Sequence, residues 1–158
     1  MMNIHNERKK KISYTLLRVI NKFDEIDKKS RYYGTDTPLF SAEIHMLTII
    51  KENEGIHVTG IADKLGVTKG AVSQIVNKLN KKGLIKKDTD LHNQSKLTLS
   101  LTPKGEIAQL NHEEFHKKFD VLIKSILKDA SEENIKFLKD FLNSFEDQLE
   151  NFESEFDK

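Results

Sequence analysis

Between residues 68 and 82 the apolar side chains Val72, Ile75, Val76 and Leu79 fall at i, i+3, i+4 and i+7, the spacing of a helix with one buried stripe. Thr68 is its predicted N-cap, and Gly83, behind Lys81 and Lys82, its stop. A shorter helix precedes it, capped by Thr59, with Ile61, Ala62 and Leu65 on its apolar side and Gly66 placed to end it. Residues 56–58 are predicted as a short strand. After Gly83 the period falls to two: Leu97, Leu99 and Leu101 alternate with Thr98, Ser100 and Thr102, which predicts a strand with one buried face. Residues 84–88 are its predicted partner, and the polar residues 90–95 are the turn between them.

Both ends of the chain carry helical periodicity. Ile12, Leu16, Val19, Ile20, Phe23 and Ile26 predict an amphipathic helix over residues 8–29. Another helix follows Ser41, and a long one starts at Pro103. Toward the C-terminus Ile135, Leu138, Leu142, Phe145, Leu149, Phe152 and Phe156 repeat at intervals of three and four, a seam that packs against another helix. The pattern predicts a mainly α chain with a small β-wing: a winged helix-turn-helix lobe over residues 41–102, flanked by helical arm elements at 1–40 and 103–158. The seams fit either an internal helical core or a homodimer. A two-fold dimer would present two symmetry-related copies of the helix over residues 68–82.

Charge is sorted along the chain. The net charge is only +1 over 158 residues, yet residues 59–105 hold nine lysines against three aspartates, while residues 106–158 hold seven lysines against fourteen acids. The basic segment coincides with the helix-turn-helix spacing, and together they point to double-stranded DNA as partner. On the helix over 68–82 the polar face presents Thr68, Lys69, Gly70, Ser73, Gln74, Asn77 and Lys78, small or polar groups for base edges and lysines for phosphates. The competing reading is a solvated lysine face on a protein that binds no DNA, such as an interaction adaptor. The absence of cysteine excludes disulfides and thiolate chemistry. The start MMNIHNERKKK is basic, but Arg18, Asn21 and Lys22 interrupt the apolar residues behind it. Neither a signal peptide nor a membrane span is expected, and the expected location is cytoplasmic.

The stretches SAEIHMLTII, IADKLGVTKGAVSQIVNKLNKKGLI and LTLSLTPKG resemble the MarR family of bacterial transcriptional regulators, and the resemblance runs over essentially the whole chain. It implies a winged-helix homodimer, usually a repressor, that binds a pseudo-palindromic operator with recognition helices in major grooves and wings reaching minor grooves. Members of that family commonly place an aspartate and arginines at the wing tip. Here the stretch reads His92, Asn93, Gln94, Ser95, with Lys96 the nearest cation, so the wing is expected to add less electrostatic affinity, through Gln94 and Lys96.

Histidines carry the remaining chemistry. His112 and His116 lie four apart on the helix after Pro103, sharing a stripe with Phe115 and Phe119. With Glu113 they spell H-E-E-F-H, the zinc-peptidase pattern in which two histidines hold metal and the glutamate activates water. The setting lacks a third histidine after a glycine turn and an evident substrate-edge strand, so no enzyme is expected. The zinc-sensing branch of the resembled family takes ligands from the helix before the first strand and from a histidine pair four apart on the long helix. That resemblance implies His45, His112 and His116 as ligands of a regulatory zinc, with Asp27 as a further acid; three imidazoles and a carboxylate suit tetrahedral zinc. No cofactor is otherwise required. Two other readings stay open: histidines that pack or hydrogen-bond along a crevice, and a crevice for a small amphipathic organic effector lined by Phe23, Tyr32, Tyr33, Phe40 and Phe115. His5, His57 and His92 stand apart from this cluster.

Overall fold

The computed structural model describes residues 11–89 and 97–154. Its contacts divide it into two compact units, one ending at Glu114 and the other starting at Phe115. The first contains α1 (Ile12–Asp27), α2 (Ser41–Glu52), α3 (Val58–Leu65), α4 (Lys69–Lys81), β1 (Ile85–Thr89), β2 (Leu97–Leu101) and the opening turns of α5 (Pro103–Ile126). The second contains the remainder of α5 and α6 (Glu132–Ser154).

The predicted stripe of α4 is the centre of the first unit's core. Val72, Val76 and Leu79 are buried, and Ile75 packs partly buried against them. They meet Ile44, Leu47 and Ile50 of α2, Ile61 of α3, Leu84 and Leu99 around the hairpin, and Ala108 of α5. Each Leu or Ile buried in this way contributes about 1.5–3 kcal/mol. Punctuation follows the sequence: the Ala71 N–H donates to Thr68 Oγ1 at 3.2 Å, while Gly66 and Gly83 take φ of +63° and +70°, the left-handed conformation that closes α3 and α4.

Several boundaries differ from the predicted ones, among them the end of α1 at Asp27 and that of β1 at Thr89. The strand expected at residues 56–58 is not a strand; His57 makes an isolated bridge to Thr98, and the Leu99 N–H donates to the Ile56 carbonyl at 3.0 Å. Val58 already opens α3, so His57, not Thr59, is the cap residue, and no length remains for a strand. Segment 55–57 still covers the outer edge of β2, because the Gly55 N–H also donates to the Leu99 carbonyl at 3.1 Å. β1 starts one residue later than expected and pairs antiparallel with β2 in the register Ile85↔Leu101, Lys87↔Leu99, Thr89↔Leu97. Leu99 and Leu101 are buried as the alternation requires, but Leu97 is 47% exposed.

The exit from β2 fixes the long helix. The Thr102 hydroxyl donates to the Gly83 carbonyl at 2.7 Å and accepts from the Gly105 N–H at 3.2 Å, so Thr102 caps α5 while tying it to the end of α4. Pro103 stands in the first helical position, where its missing N–H costs nothing. Gly105 then passes against the hairpin backbone: a Cβ there would lie 2.0 Å from the Leu84 carbonyl oxygen. Lys104 donates to Thr37 Oγ1 at 2.7 Å and pairs with Asp36 at 2.5 Å, so the segment between α1 and α2 is fastened to the same corner.

Large apolar side chains lie outside this core. On α1, Leu17 and Val19 are 54% and 61% exposed, and none of its residues is buried. In the second unit Ile126 and Phe137 are 68% and 71% exposed. Among the described residues no helix is long and apolar enough to cross a membrane.

Two outcomes are expected. Gly105→Ala forces backbone against backbone and lowers stability by about 1–3 kcal/mol or more, measured by urea unfolding; unchanged stability would refute the close approach. The Lys104 ammonium, with help from the Thr37 hydroxyl, holds the Asp36 carboxyl below the ordinary carboxylate range. A depressed folded value means stability that is present above the unfolded pKa of about 3.9 and lost as pH falls through the folded one. Asp36→Asn is therefore less stable than the parent near neutrality, and the two unfolding midpoints converge in acid.

Candidate nucleic-acid interface

The turn between α3 and α4 is two residues long beyond Gly66, which sets α4 against α3 with its apolar stripe inward. What remains outside is the predicted polar face: Thr68, Lys69, Gly70, Gln74, Asn77 and Lys78 are exposed and Ser73 is half-buried. The face offers donors and acceptors at its middle and ammonium groups near both ends. Gln94 and Lys96 of the wing, like His92, lie outside the described residues.

Gly70 is informative because no packing among the described residues needs it. Unlike Gly66 and Gly83 it has no unusual φ, and a Cβ built on it would meet only Thr68 Oγ1, at 3.9 Å. A helical glycine costs about 0.5–1 kcal/mol relative to alanine. The room it leaves opens to the exterior at the first turn of α4, where a groove-bound helix comes nearest the duplex.

Two contacts on this face were not legible in the spacing. Lys87, half-buried on β1, donates to Asn77 Oδ1 at 2.6 Å. An ammonium can only donate, so it meets the amide oxygen and turns the NH₂ of Asn77 outward. Lys82, counted above among the cations of the basic segment, points inward: its Nζ lies 2.7 Å from each carboxylate oxygen of Glu43 and donates to the Pro38 carbonyl at 2.9 Å. Lysines look alike in a sequence; only the fold shows which ones are engaged.

The histidines divide by burial. His45 is exposed on α2, whereas His112 is 5% exposed on α5. Their ring centroids are 5.2 Å apart. Ser41 Oγ lies 3.4 Å from His45 Nδ1, one turn earlier on the same helix. Tyr33 meets His112 edge-on at 5.5 Å and holds φ of +44°, a left-handed conformation unusual for a tyrosine. His116 follows His112 by one turn of α5, is exposed and belongs to the second unit; within the first unit His45 and His112 are the paired imidazoles, and Asp27 is not grouped with them. Of the expected crevice aromatics, Tyr33 joins the histidines, Tyr32 and Phe40 are 58% and 56% exposed, Phe23 is 45% exposed on α1, and Phe115 lies in the second unit. His57 plays a different part: its Nδ1 lies 3.0 Å from the Leu97 carbonyl, which can only accept, so this nitrogen carries the proton.

A family model described as the MarR family matches residues 39–96, the segment from the end of the α1–α2 connection through the wing. The helix-turn-helix transcriptional regulator PchR of Bacillus subtilis is 30% identical over 115 residues, covering 73% of this chain and 68% of PchR. The chain belongs to the MarR family. A second Bacillus subtilis regulator of the helix-turn-helix type, YhjH, is 33% identical over 114 residues, 72% of this chain; the chain spans 65% of the length of YhjH. Among solved structures, Streptococcus pneumoniae FabT in complex with DNA superposes with a TM-score of 0.71 at 26% identity, covering 89% of this chain and 96% of FabT. The MarR fold thus accounts for a mainly helical chain with one two-stranded wing, and in this member the helix-turn-helix pair is α3 and α4.

Proposed function

We propose that this MarR-family chain is a sequence-specific DNA-binding transcriptional regulator, acting as a homodimeric repressor on a pseudo-palindromic operator. The observation that carries the reading is α4: apolar stripe buried, polar and cationic face exposed, N-terminus held by the Thr68 cap. In this role Lys69 and Lys78 meet phosphates, Gln74 and Asn77 read base edges, Ser73 supports them, and Gly70 lets the helix settle into the groove. The occurrence of FabT bound to DNA on a similar fold supports the partner. The exposed apolar residues of α1 and of the second unit support dimerisation, since a monomer leaves them in water. The H-E-E-F-H pattern is better read as part of the helix than as a peptidase site: the Glu113 carboxylate accepts from Gln109 Nε2 at 2.7 Å.

A regulatory metal is the second part of the proposal. His45 and His112 face each other from α2 and α5, His116 is one helical turn on, and the Ser41 hydroxyl beside His45 Nδ1 is placed to orient that ring for ligation through its other nitrogen. This donor set suits zinc, which when bound supplies a cross-link between α2 and α5. A small organic effector beside Tyr33 is the competing occupant.

For DNA binding, affinity for fragments of the source genome falls steeply with salt, and Lys69→Ala or Lys78→Ala each lowers the slope of log affinity against log salt by about 1.8, one phosphate contact being lost from each protomer. Gly70→Ala separates stability from recognition: its unfolding midpoint rises while its DNA affinity falls. If no discrete fragment is retained by the wild-type protein, the regulator reading is wrong. For zinc, titration of the apo protein gives one ion per chain, abolished by His112→Ala, and changes DNA affinity by roughly 5- to 150-fold. A protein that takes up no zinc leaves the organic effector and the packing role of the histidines as the remaining readings.

A further inference from the structure

The C-terminal end of the recognition helix is held by an internal charge cluster that helix-turn-helix spacing does not require. Lys82 is the residue that caps α4, immediately before Gly83. Its ammonium has three protons and three acceptors: both oxygens of Glu43 at 2.7 Å and the Pro38 carbonyl at 2.9 Å. Glu43 in turn accepts from the Phe40 N–H at 3.0 Å, so the same carboxylate satisfies the start of α2. The Glu43 side chain is 6% exposed and that of Lys82 25%. The backbone of Lys82 is held as well: its carbonyl accepts from Lys104 Nζ at 3.1 Å, and Lys104 is fixed by Thr37 and Asp36. Lys82 is therefore tied through its side chain to Glu43 and Pro38, and through its carbonyl to Lys104, which Thr37 and Asp36 hold in turn.

We infer that Glu43 and Lys82 are positioning residues for DNA reading: they set the pose of α4, and Lys82 is not a phosphate contact. A buried ion pair is a weak source of stability, because desolvation offsets most of its Coulomb attraction, and well-packed apolar replacements often fold as well. What this pair supplies is direction. An apolar contact permits α4 to slide or tilt; an ammonium with three acceptors in fixed places does not. Thr102 ties the Gly83 carbonyl just beyond α4 and fixes where the helix ends, so loss of the Lys82 anchor leaves the helix pivoting about that corner. Pivoting disturbs base reading, which needs angstrom-level register, far more than it disturbs phosphate attraction, which needs only charge.

This assignment rests on the DNA-reading role proposed above, and the experiment separates the two. The wild-type protein first selects duplexes from a random-sequence pool, and the best duplex and a scrambled duplex of equal length serve as probes. The double variant Glu43→Leu with Lys82→Met removes one charge of each sign and so keeps the net charge of +1. Its affinity for the scrambled duplex and its salt slope there stay at wild-type values, while the ratio of selected to scrambled affinity falls by about ten-fold or more. Lys82→Arg, which keeps the charge but cannot place a planar fork on the same three acceptors, loses the ratio in the same way and serves also if the double variant does not fold. A wild-type ratio in either folded variant overturns the inference, as does a salt slope that drops by the increment of one phosphate contact per protomer in folded Lys82→Met. A wild-type protein that selects no sequence overturns the regulator reading instead.

Discussion

The backbone of Gly105 and that of Leu84 pass so closely that no side chain fits between them, and the rest of the first unit is arranged around that contact. Thr102 closes it from one side by bonding both the Gly83 carbonyl and the Gly105 N–H, and the Thr102 N–H donates to the Leu84 carbonyl at 3.0 Å. The exit of α4, the two ends of the hairpin and the start of α5 therefore share one corner. Because that corner is made of backbone and a short hydroxyl, it has little freedom to adapt. The apolar residues of α2, α3 and α4 then fill the space that the corner leaves, and the polar face of α4 is outside by default.

Much of this was written in periodicity. The stripe Val72, Ile75, Val76 and Leu79 defines α4 without ambiguity because nothing else at that spacing competes, and Thr68, Gly66 and Gly83 act locally, through caps and left-handed turns that neighbours do not alter. The same holds for β2, whose alternation survives except at Leu97, where the hairpin's inner face runs past the core. The boundary at residues 56–58 failed for a tertiary reason. Three residues with strand-like propensity lie alongside β2, but the helix that Ile61 and Ala62 must bury starts at Val58 and takes the third of them.

The candidate site was legible in kind and less so in detail. Spacing identifies which residues of α4 face outward, since that follows from burying the other side. It does not identify which lysines are spoken for: Lys82 and Lys104 belong to the same basic run as Lys69 and Lys78, yet their partners Glu43, Pro38, Asp36 and Thr37 lie about forty to seventy residues away in sequence. The field presented to a polyanion is accordingly smaller than a count of basic residues implies. The histidine pair is a similar case, because His45 and His112 become neighbours only when α2 and α5 are set by the corner at Gly105.

The two-stranded wing has a consequence for how this protein survives at high concentration. β2 has its outer edge covered by segment 55–57, but among the described residues β1 is an edge strand, with a row of backbone groups of the kind that recruits strands from other molecules. Lys86 and Lys87 occupy its middle, one exposed and the other half-buried. Charged side chains on an edge strand lose hydration when another strand docks, so these lysines disfavour sheet-to-sheet aggregation.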